Sequence, residues 1–563
     1  MAPRLSSLAL PLLAAQASLQ PVNSTPCPGE PRLGAVASET DVCSRVGTSL
    51  LRDGGNAVDA AVGTVFCVGT IAMYHSGIGG GGFMVVRSTN GSYEFIDFRE
   101  TAPAAAFEDM YLNNTAGSLY GGLASGVPGE LRGLEYVHDR YGVLSWADVI
   151  TPSIKLARDG FVVNADLVRY MNNLSNNQFL VEDPAWAVDF APNGTRVQLG
   201  DVMTRKRFAD TLETIAKQGA DAFYNGPIAE ATIAAIQATN GTMVVEDLQN
   251  YTIVLRDPAQ INYRGHKLTS SNAPASGVVA LSVLNIINGY DGFDDPAQVN
   301  VSTQRLNEAM RFAYGQRTLL ADPSFSPNIS DYTVEMITEE TAADIRSRIS
   351  DERTYNVSWY NPDGLESLET PGTAHIVAAD RSGLAVSLTT TINLIFGSRV
   401  MVPETGVILN DEMNDFSIPG VTNAFGYAPN PANFVRPGKR PLSSISPIIA
   451  ETPEGELYFV VGAAGGSRII TSTLQNVIHI IDGGLSVAEA LAEPRLHDQL
   501  IPAVTTFEYA YDNSTVHYLQ SLGHNVSWVA PGQSAVQALR LFENGTFEAA
   551  GEPRMSNSGG YAV

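Results

Sequence analysis

The chain has 563 residues, of which 44% are hydrophobic and 17% charged, and its formal net charge is -25. This balance is typical of globular proteins and excludes a largely disordered chain. Nucleic-acid binding requires a basic surface for the phosphates. The strongly negative net charge therefore also excludes a nucleic-acid partner.

The N-terminal residues have the pattern of a secretory signal peptide. Arg4 supplies a positive charge, residues 5–13 form a short apolar run, and small residues follow at positions 14, 15, 17 and 18. We expect residues 1–19 to be removed and the protein to be secreted, with the cell surface or a vacuole as alternative destinations. An uncleaved membrane anchor is the other interpretation, although the run is short for a bilayer span. Thirteen Asn-x-Ser/Thr sequons are typical of a glycosylated exported protein.

Residues 40–75 have the apolar spacing of two helices separated by a turn at residues 54–55. Cys43 and Cys67 lie equally far from that turn, so an antiparallel helix hairpin would bring them together. We predict that they form a disulfide in an oxidising compartment, with two buried free thiols as the alternative. Cys27 is then left unpaired.

The remaining periodic segments predict a layered fold of helices and strands. Helical patterns lie at residues 145–160, 205–240 and 300–320, and strand patterns at residues 82–98, 374–392, 456–463 and 501–508. The polar stretch at residues 325–372, which contains several proline, asparagine and glycine residues, is expected to be an exposed, mobile loop.

Three glycines, Gly77, Gly79 and Gly82, satisfy the G-x-G-x-x-G pattern of dinucleotide-binding proteins. In that motif a strand precedes the glycines and a helix follows, but here the predicted order is reversed. We therefore interpret the segment as a turn that allows close packing of the backbone.

Two strand-like runs follow one another around a three-residue loop that ends in Gly383. A hairpin of this kind pairs Asp380 with Leu384 and places Thr391 opposite Thr373. Directly opposed residues have Cβ atoms about 4.5–5.5 Å apart, so two hydroxyl groups would meet where the first strand begins. Threonine is common in strands, and a β-bulge would shift this register, so the pairing alone is weak evidence for catalysis.

Five motifs surround and follow this hairpin: GTAH at residues 372–375, TINLIFGS at 391–398, NDEMNDF at 410–416, RPLSSISP at 440–447 and GGSRIITS at 465–472. In this order they resemble the γ-glutamyltranspeptidase family, and the resemblance runs from about Gly34 to the C-terminus. It implies an α+β fold, a four-layer αββα sandwich of the N-terminal-nucleophile hydrolase type. It also implies a precursor that cleaves itself into a large subunit, residues 20–372, and a small catalytic subunit, residues 373–563, which form one core.

The resemblance implies that the chain hydrolyses or transfers the γ-glutamyl group of glutathione and related γ-glutamyl amides. Thr373 would be the nucleophile, and cleavage after Gly372 would free its α-amine to act as the base. Thr391 would orient the Thr373 hydroxyl, and the backbone N–H groups of Gly465 and Gly466 would form the oxyanion hole. Water, an amino acid or a dipeptide would accept the acyl group.

A γ-glutamyl donor carries an α-carboxylate and an α-ammonium, which need opposite recognition. By the resemblance, Arg99, Ser443 and Ser444 bind the carboxylate, Glu412, Asp415 and Asn393 accept from the ammonium, and Thr391 and Gly466 also contact the substrate. An arginine can hold a carboxylate in a bidentate pair. His375 is interpreted as structural rather than as a general base, because the free amine already supplies the base.

One position departs from the family pattern. Residues 419–438 resemble the lid loop of some bacterial members, in which a tyrosine is common where this chain has Phe425. Phenylalanine cannot donate a hydrogen bond to Asn393, so the order of the lid and the balance between hydrolysis and transfer stay open.

The sequence indicates neither a metal site nor a cofactor, because it has no H-E-x-x-H motif and no Cys/His cluster. The absence of G-x-S-x-G disfavours an α/β-hydrolase. Two alternatives stay open: an amidase or β-lactam acylase on the same fold, and a catalytically decayed secreted glycoprotein.

Overall fold

The computed structural model describes residues 33–293, 295–366, 372–422, 426 and 428–563. The predicted signal peptide, Cys27 and Phe425 lie outside the described residues. Within the described ranges, no helix combines the length and the apolar character that a membrane crossing requires.

Most strands belong to two large sheets. In chain order the strands are β1 (Gly34–Ser38), β2 (Gly81–Arg87), β3 (Tyr93–Asp97), β4 (Phe161–Val162), β5 (Val202–Met203), β6 (Val254–Arg256), β7 (Ala259–Tyr263), β8 (His266–Ser270), β9 (Ala374–Asp380), β10 (Ala385–Thr391), β11 (Ile448–Glu451), β12 (Leu457–Ala464), β13 (Leu496–His497), β14 (Thr505–Glu508), β15 (Val526–Val529), β16 (Ala535–Leu541), β17 (Phe547–Ala550) and β18 (Gly559–Ala562).

The helices cover the outer faces of these sheets. In chain order they are α1 (Asp41–Arg52), α2 (Ala57–Ile71), α3 (Glu130–Tyr141), α4 (Trp146–Asp159), α5 (Ala165–Asn173), α6 (Phe179–Glu182), α7 (Pro184–Phe190), α8 (Lys206–Gln218), α9 (Asp221–Tyr224), α10 (Gly226–Ala238), α11 (Val245–Gln249), α12 (Gly277–Asn288), α13 (Val299–Arg317), α14 (Asn328–Met336), α15 (Glu339–Arg348), α16 (Val357–Tyr360), α17 (Arg468–Ile481), α18 (Val487–Ala492) and α19 (Asn513–Ser521).

The two sheets pack face to face and form the centre of the molecule. The first has the strand order β18-β1-β9-β10-β2-β3-β6, and the second has the order β17-β16-β12-β11-β8-β7. Apolar residues of α1, α2, α4 and α8 form one core with the outer face of the first sheet. The apolar residues between the sheets and those of α12, α13 and α17 form the other core. The predicted four-layer αββα sandwich of the α+β class is therefore confirmed.

Both predicted subunits contribute strands to both sheets. In the first sheet β18 and the β9–β10 pair, from residues 373–563, lie on either side of β1, and β10 also pairs with β2; β1 and β2 come from residues 20–372. In the second sheet β8, from the earlier segment, pairs with β11, from the later one. A cut after Gly372 would therefore leave two chains held together by sheet hydrogen bonds and by shared cores.

The hairpin of β9 and β10 has the predicted register. Ala379 pairs with Ala385 and Ala374 pairs with Thr390, and the Asp380 N–H donates to the Leu384 carbonyl at 3.0 Å. The ladder has no bulge between these pairs. The same register continued by one residue places Thr391 opposite Thr373, as predicted.

The predicted disulfide is confirmed. Cys43 on α1 and Cys67 on α2 are bonded, with 5.3 Å between their Cα atoms. The helices turn at Gly54, which has a φ of 98°. Asn56 caps α2 by accepting hydrogen bonds from the backbone N–H groups of Val58 and Asp59. Local helix signals thus brought the two cysteines together.

The predicted loop at residues 325–372 is wrong over much of its length, because α14, α15 and α16 lie within it. Pro327 immediately precedes α14, and the Thr338 hydroxyl caps α15 by accepting from the Thr341 N–H. Polar and proline residues here begin helices rather than connect them. Ile329 and Ile345 anchor these helices in the second core.

Three predicted elements have different bounds from those expected. The helical stretch at residues 205–240 is divided into α8, α9 and α10 at Gly219 and Gly226, which have φ values of 83° and 68°. The strand stretch at residues 82–98 is a hairpin of β2 and β3. Of residues 501–508, only β14 is a strand.

Candidate active site

Gly372 and Thr373 lie in unusual backbone conformations immediately before β9. Their φ values are 123° and 157°, which side chains with L chirality rarely adopt. A Cβ atom built on Gly372 would lie 1.8 Å from the carbonyl oxygen of Asn393. Only glycine fits there, and the peptide bond between the two residues is held in a strained segment.

The Thr373 side chain is buried and belongs to the strand face that meets the second sheet. Val377 and Ala379 of β9 pack into the core between the sheets, whereas Ala374 and Ile376 pack into the outer core. The alternation of strand side chains puts Thr373 on the face of Val377. Thr391 has the same parity on β10, so the two hydroxyl-bearing residues share the inter-sheet face.

The Thr391 hydroxyl accepts a hydrogen bond from the Asn393 backbone N–H at 2.7 Å. No hydrogen bond between the Thr391 and Thr373 hydroxyls is present among the described residues, so the expected direct contact is not made in the uncut chain. Gly80 packs against this strand, since a Cβ there would lie 2.0 Å from the Thr391 carbonyl oxygen. The glycine-rich segment therefore serves close backbone packing, as predicted.

Arg99 lies beyond the end of β3 and is buried. Its backbone N–H donates to Asp97 at 3.0 Å, and its guanidinium donates to the carboxylates of Glu412 and Asp415. A further guanidinium N–H reaches the Leu442 carbonyl at 3.4 Å. The sequence predicted that Arg99 binds the carboxylate of a substrate and that the two acids bind its ammonium. In the structure the three side chains form ion pairs with one another.

Several atoms of this cluster are buried without a hydrogen-bond partner among the described residues. They are Arg99 Nε, Glu412 Oε2 and Asp415 Oδ1. A buried polar atom without a partner costs about 1–3 kcal/mol. Burial also raises the pKa of Asp415, an effect opposed by the Arg99 guanidinium and the Asn393 side chain. The cluster thus has an unsatisfied donor on a cation and unsatisfied acceptors on two anions. Such a cluster is suited to bind an amino-acid zwitterion.

Asn393 connects this cluster to the Gly372–Thr373 bond. Its φ is 69°, and its side-chain amide donates to the Asp411 carbonyl at 3.1 Å. Its backbone carbonyl contacts Gly372, and its side chain faces Asp415. Asn393 thus fixes the position of the Gly372–Thr373 bond relative to the charged groups.

The two serines of the RPLSSISP motif are buried in an irregular segment before β11. The Ser443 hydroxyl accepts from the Ile445 N–H at 3.2 Å, and the Ser444 hydroxyl accepts from the Arg317 guanidinium at 2.9 Å. Arg317 is the last residue of α13, and sequence reasoning missed it. A single arginine in a helical pattern carries no signal of a role in a site about 130 residues further along the chain.

Gly465 and Gly466 form the turn between β12 and α17. Their φ values are 125° and 60°, and a Cβ on Gly465 would lie 2.7 Å from the Gln533 carbonyl oxygen. Their carbonyls accept from the N–H groups of Arg468 and Ile469, while their own N–H groups have no acceptor among the described residues. Free N–H groups beside a helix N-terminus are suited to stabilise a negative oxygen.

His375 lies on the inter-sheet face of β9, and its contacts support a structural role. Its Nδ1 is 2.8 Å from the Thr389 hydroxyl, and its Nε2 is 3.3 Å from the Ser387 hydroxyl. A Cβ on Gly462 of the facing sheet would lie 2.2 Å from its Cε1. Burial lowers the pKa of His375 to about 3, so the ring is neutral at physiological pH.

Comparisons with known proteins show which proteins this chain is similar to. The family model described as Gamma-glutamyltranspeptidase matches residues 43–562. The glutathione hydrolase proenzyme of Arthroderma benhamiae is 57% identical over 549 residues, which cover 94% of this chain and 93% of that protein. The glutathione hydrolase of Aspergillus flavus is 51% identical over 536 residues, which cover 94% and 90%.

Among solved structures, a cephalosporin acylase from Bacillus halodurans superposes with a TM-score of 0.81, over 96% of this chain and 98% of that one. Its sequence identity to this chain is 24%, so the likeness shows a shared fold and nothing about the substrate.

Proposed function

The chain belongs to the γ-glutamyltranspeptidase family, and from this premise we propose that Thr373 is the nucleophile with which it hydrolyses or transfers the γ-glutamyl group of glutathione. The observation that carries this assignment is the position of Asn393. Its backbone touches Gly372, next to Thr373, and its side chain faces Asp415, which pairs with Arg99. Nucleophile and charged cluster thus lie on either side of one residue.

Self-cleavage would come first. The Thr373 hydroxyl attacks the Gly372 carbonyl carbon, the peptide C–N bond breaks, and the released nitrogen takes up the proton. The resulting ester is opened by water, which leaves a carboxylate on Gly372 and a free amine on Thr373. The strained backbone at both residues supports this step, because cleavage relieves the strain. The proenzyme name of the Arthroderma benhamiae relative also supports a precursor that is cut, and we propose residues 20–372 and 373–563 as its two subunits.

In the mature enzyme the Thr373 α-amine takes the hydroxyl proton as the oxygen attacks the γ-carbonyl. The N–H groups of Gly465 and Gly466 stabilise the negative oxygen of the tetrahedral intermediate, and a donor of this kind is typically worth about 10²–10³ in rate. The leaving amine takes the proton, and an acyl-enzyme forms. Water, an amino acid or a dipeptide then attacks the ester and regenerates Thr373. We propose all three as acceptors of the γ-glutamyl group.

Donor recognition uses an exchange of charged partners. The substrate α-carboxylate takes the place of the acids on the Arg99 guanidinium and also accepts from Ser443 and Ser444. Glu412 and Asp415, together with Asn393, then accept from the substrate ammonium. The unsatisfied atoms Arg99 Nε, Glu412 Oε2 and Asp415 Oδ1 support this exchange, because it adds partners without leaving a buried charge alone.

Two other functions are less well supported. An amidase or β-lactam acylase for simple diacids would not need Glu412 and Asp415 beside an arginine, since such acyl groups carry no ammonium. A decayed glycoprotein would have no reason to keep Thr373, Thr391 and the Gly465–Gly466 pair all intact.

We also propose that the protein is secreted and glycosylated. The confirmed disulfide supports an oxidising compartment. Several sequon asparagines are exposed, among them Asn90, Asn113, Asn240 and Asn513. Mass spectrometry of protein from the culture medium, before and after removal of N-linked glycans, tests both points.

The experiment for the main proposal has two steps. A denaturing gel of the purified protein should show two chains, whereas a Thr373→Ala variant should show one. Release of chromophore from a γ-glutamyl anilide, compared with the α-glutamyl isomer, then tests the donor class. No release from the γ isomer by the cleaved protein would refute the proposal.

A further inference from the structure

Arg317 is a buried cation with an unusual set of partners. It makes no ion pair with any described residue, and its exposed fraction is 3%. Its Nε donates to the Ser276 hydroxyl at 3.2 Å, and its Nη2 donates to the Ser444 hydroxyl at 2.9 Å. Both partners are neutral, so the guanidinium charge is not neutralised by a direct contact.

The contact with Ser444 determines what that hydroxyl can do. A hydroxyl has one proton and two acceptor lone pairs. The guanidinium occupies one lone pair, so the oxygen cannot present both of its lone pairs to the site. The Ser444 proton has no acceptor among the described residues. Arg317 therefore favours Ser444 as a donor, which is the role that a carboxylate requires.

Through its contact with Ser276, Arg317 also restrains the position of Ser443. The Ser276 hydroxyl, held by Arg317, donates to the Ser443 carbonyl. The Ser276 N–H donates to the Ile445 carbonyl at 2.8 Å, and the Ser443 N–H donates to the Pro274 carbonyl at 2.8 Å. One guanidinium thus holds both serines of the segment that meets the substrate carboxylate.

A second buried arginine shows what a purely structural role looks like. Arg205 also lacks an ion pair among the described residues, but it donates to the backbone carbonyls of Gly69, Thr70 and Gly406. Carbonyls at helix ends and turns are natural partners for an arginine that stabilises a fold. Arg317 instead contacts hydroxyls that adjoin the proposed substrate site.

We propose that Arg317 is a positioning residue for donor recognition, which orients the Ser444 hydroxyl and adds a second positive charge behind the α-carboxylate. This inference rests on the proposed function, because it concerns the same γ-glutamyl site. Arg99 binds the carboxylate directly, and Arg317 acts through Ser444 and Ser276.

The test compares two competitive inhibitors that differ only in the α-carboxylate, L-glutamate and its α-amide L-isoglutamine, against hydrolysis of a γ-glutamyl anilide. Arg317→Met removes the charge at similar length. We expect KM for the anilide and the inhibition constant of L-glutamate to rise about 10- to 100-fold, as for loss of a hydrogen bond to a charged group. The kcat value and the inhibition constant of L-isoglutamine should change by less than about 3-fold, since neither depends on the carboxylate contact.

Arg205→Met is the matched control. It should lower the thermal midpoint without changing the ratio of the two inhibition constants. Arg317→Lys keeps the positive charge but loses the planar guanidinium that donates to two hydroxyls at once. Its inhibition constant for L-glutamate should lie between those of Arg317→Met and the wild type. Should Arg317→Met fail to fold, the lysine variant decides in the same way: a selective loss for L-glutamate supports the proposal, and an unchanged ratio overturns it.

An equal rise of both inhibition constants in the Arg317 variants would show a merely structural role. That outcome is distinct from failure of the proposed function, which would appear as a wild-type protein that releases no chromophore from the γ-glutamyl anilide.

Discussion

The Asn393 carbonyl oxygen occupies the space that a side chain on Gly372 would need. A Cβ atom at Gly372 would lie 1.8 Å from it, far inside the contact distance of the two atoms. Since Asn393 also faces Asp415, the residue that borders the proposed scissile bond belongs to the donor site as well. The proposed cleavage site and the proposed donor site therefore share a structural element, and variants can separate the two functions.

Gly372→Ala should block self-cleavage. The added methyl group would collide with the Asn393 carbonyl, and alanine is strained at a φ of 123°. We expect cleavage to slow by at least about 100-fold, because a displaced nucleophile loses near-attack geometry. A time course on denaturing gels measures this rate.

Gly364→Ala is the matched control. Gly364 also has a positive φ, of 64°, but a Cβ there would meet nothing within 4 Å. Cleavage of this variant should proceed at close to the wild-type rate. Equal cleavage rates in the two variants would contradict the steric argument.

Thr391→Val should lower kcat more than it raises KM. The substitution removes the hydroxyl that accepts from the Asn393 N–H at 2.7 Å and leaves that N–H unsatisfied. The unsatisfied N–H displaces the Asn393 backbone beside Gly372 and Thr373, and a misplacement of about 1 Å near the nucleophile costs about 100-fold in rate. Steady-state kinetics with a γ-glutamyl anilide measures it. Thr391→Ser should recover most of the activity, and no recovery would indicate that the methyl group, not the hydroxyl, matters.

Arg99→Met should damage donor binding more than self-cleavage. It leaves Glu412 and Asp415 buried without their cation, which typically costs about 3–5 kcal/mol. We expect two chains on a denaturing gel but a KM for the anilide raised by about 100-fold or more, from loss of the bidentate pair. Cleavage and affinity lost to the same extent would argue against a carboxylate-binding role.

Acid should destabilise the protein through its buried neutral histidines. Burial lowers the pKa of His375 to about 3, below the usual value near 6.5, so the unfolded chain binds more protons between these pH values. The contribution of His375 is fully present above pH 6.5 and falls by about 1.4 kcal/mol per pH unit as the pH drops towards 3.

Urea unfolding at pH 7, 6 and 5 measures this slope. His375→Asn should give a shallower loss of the free energy of unfolding with falling pH than the wild type, whatever its absolute stability. Parallel slopes in the two proteins would show that His375 does not contribute.

Local features of this molecule were predictable from its sequence. The register of β9 and β10 followed from a period of two and a short loop ending in Gly383, and the Cys43–Cys67 disulfide followed from two helices around one turn. These features depend on residues close together in the chain, whose geometry the backbone itself restricts. Where the same turn residues can also cap helices, as at Pro327 and Thr338, the local pattern misled.

Motif order alone identified the family and named the residues of the site, but it could not say which charges would meet. Only the tertiary structure pairs Arg99 with Glu412 and Asp415, and only it brings Arg317, from the end of α13, onto Ser444. The physical reason is that a buried polar group must find its partners within the space left by packed sheets and helices. Those partners lie between 127 and 316 residues apart in the chain, and no local pattern predicts such pairings.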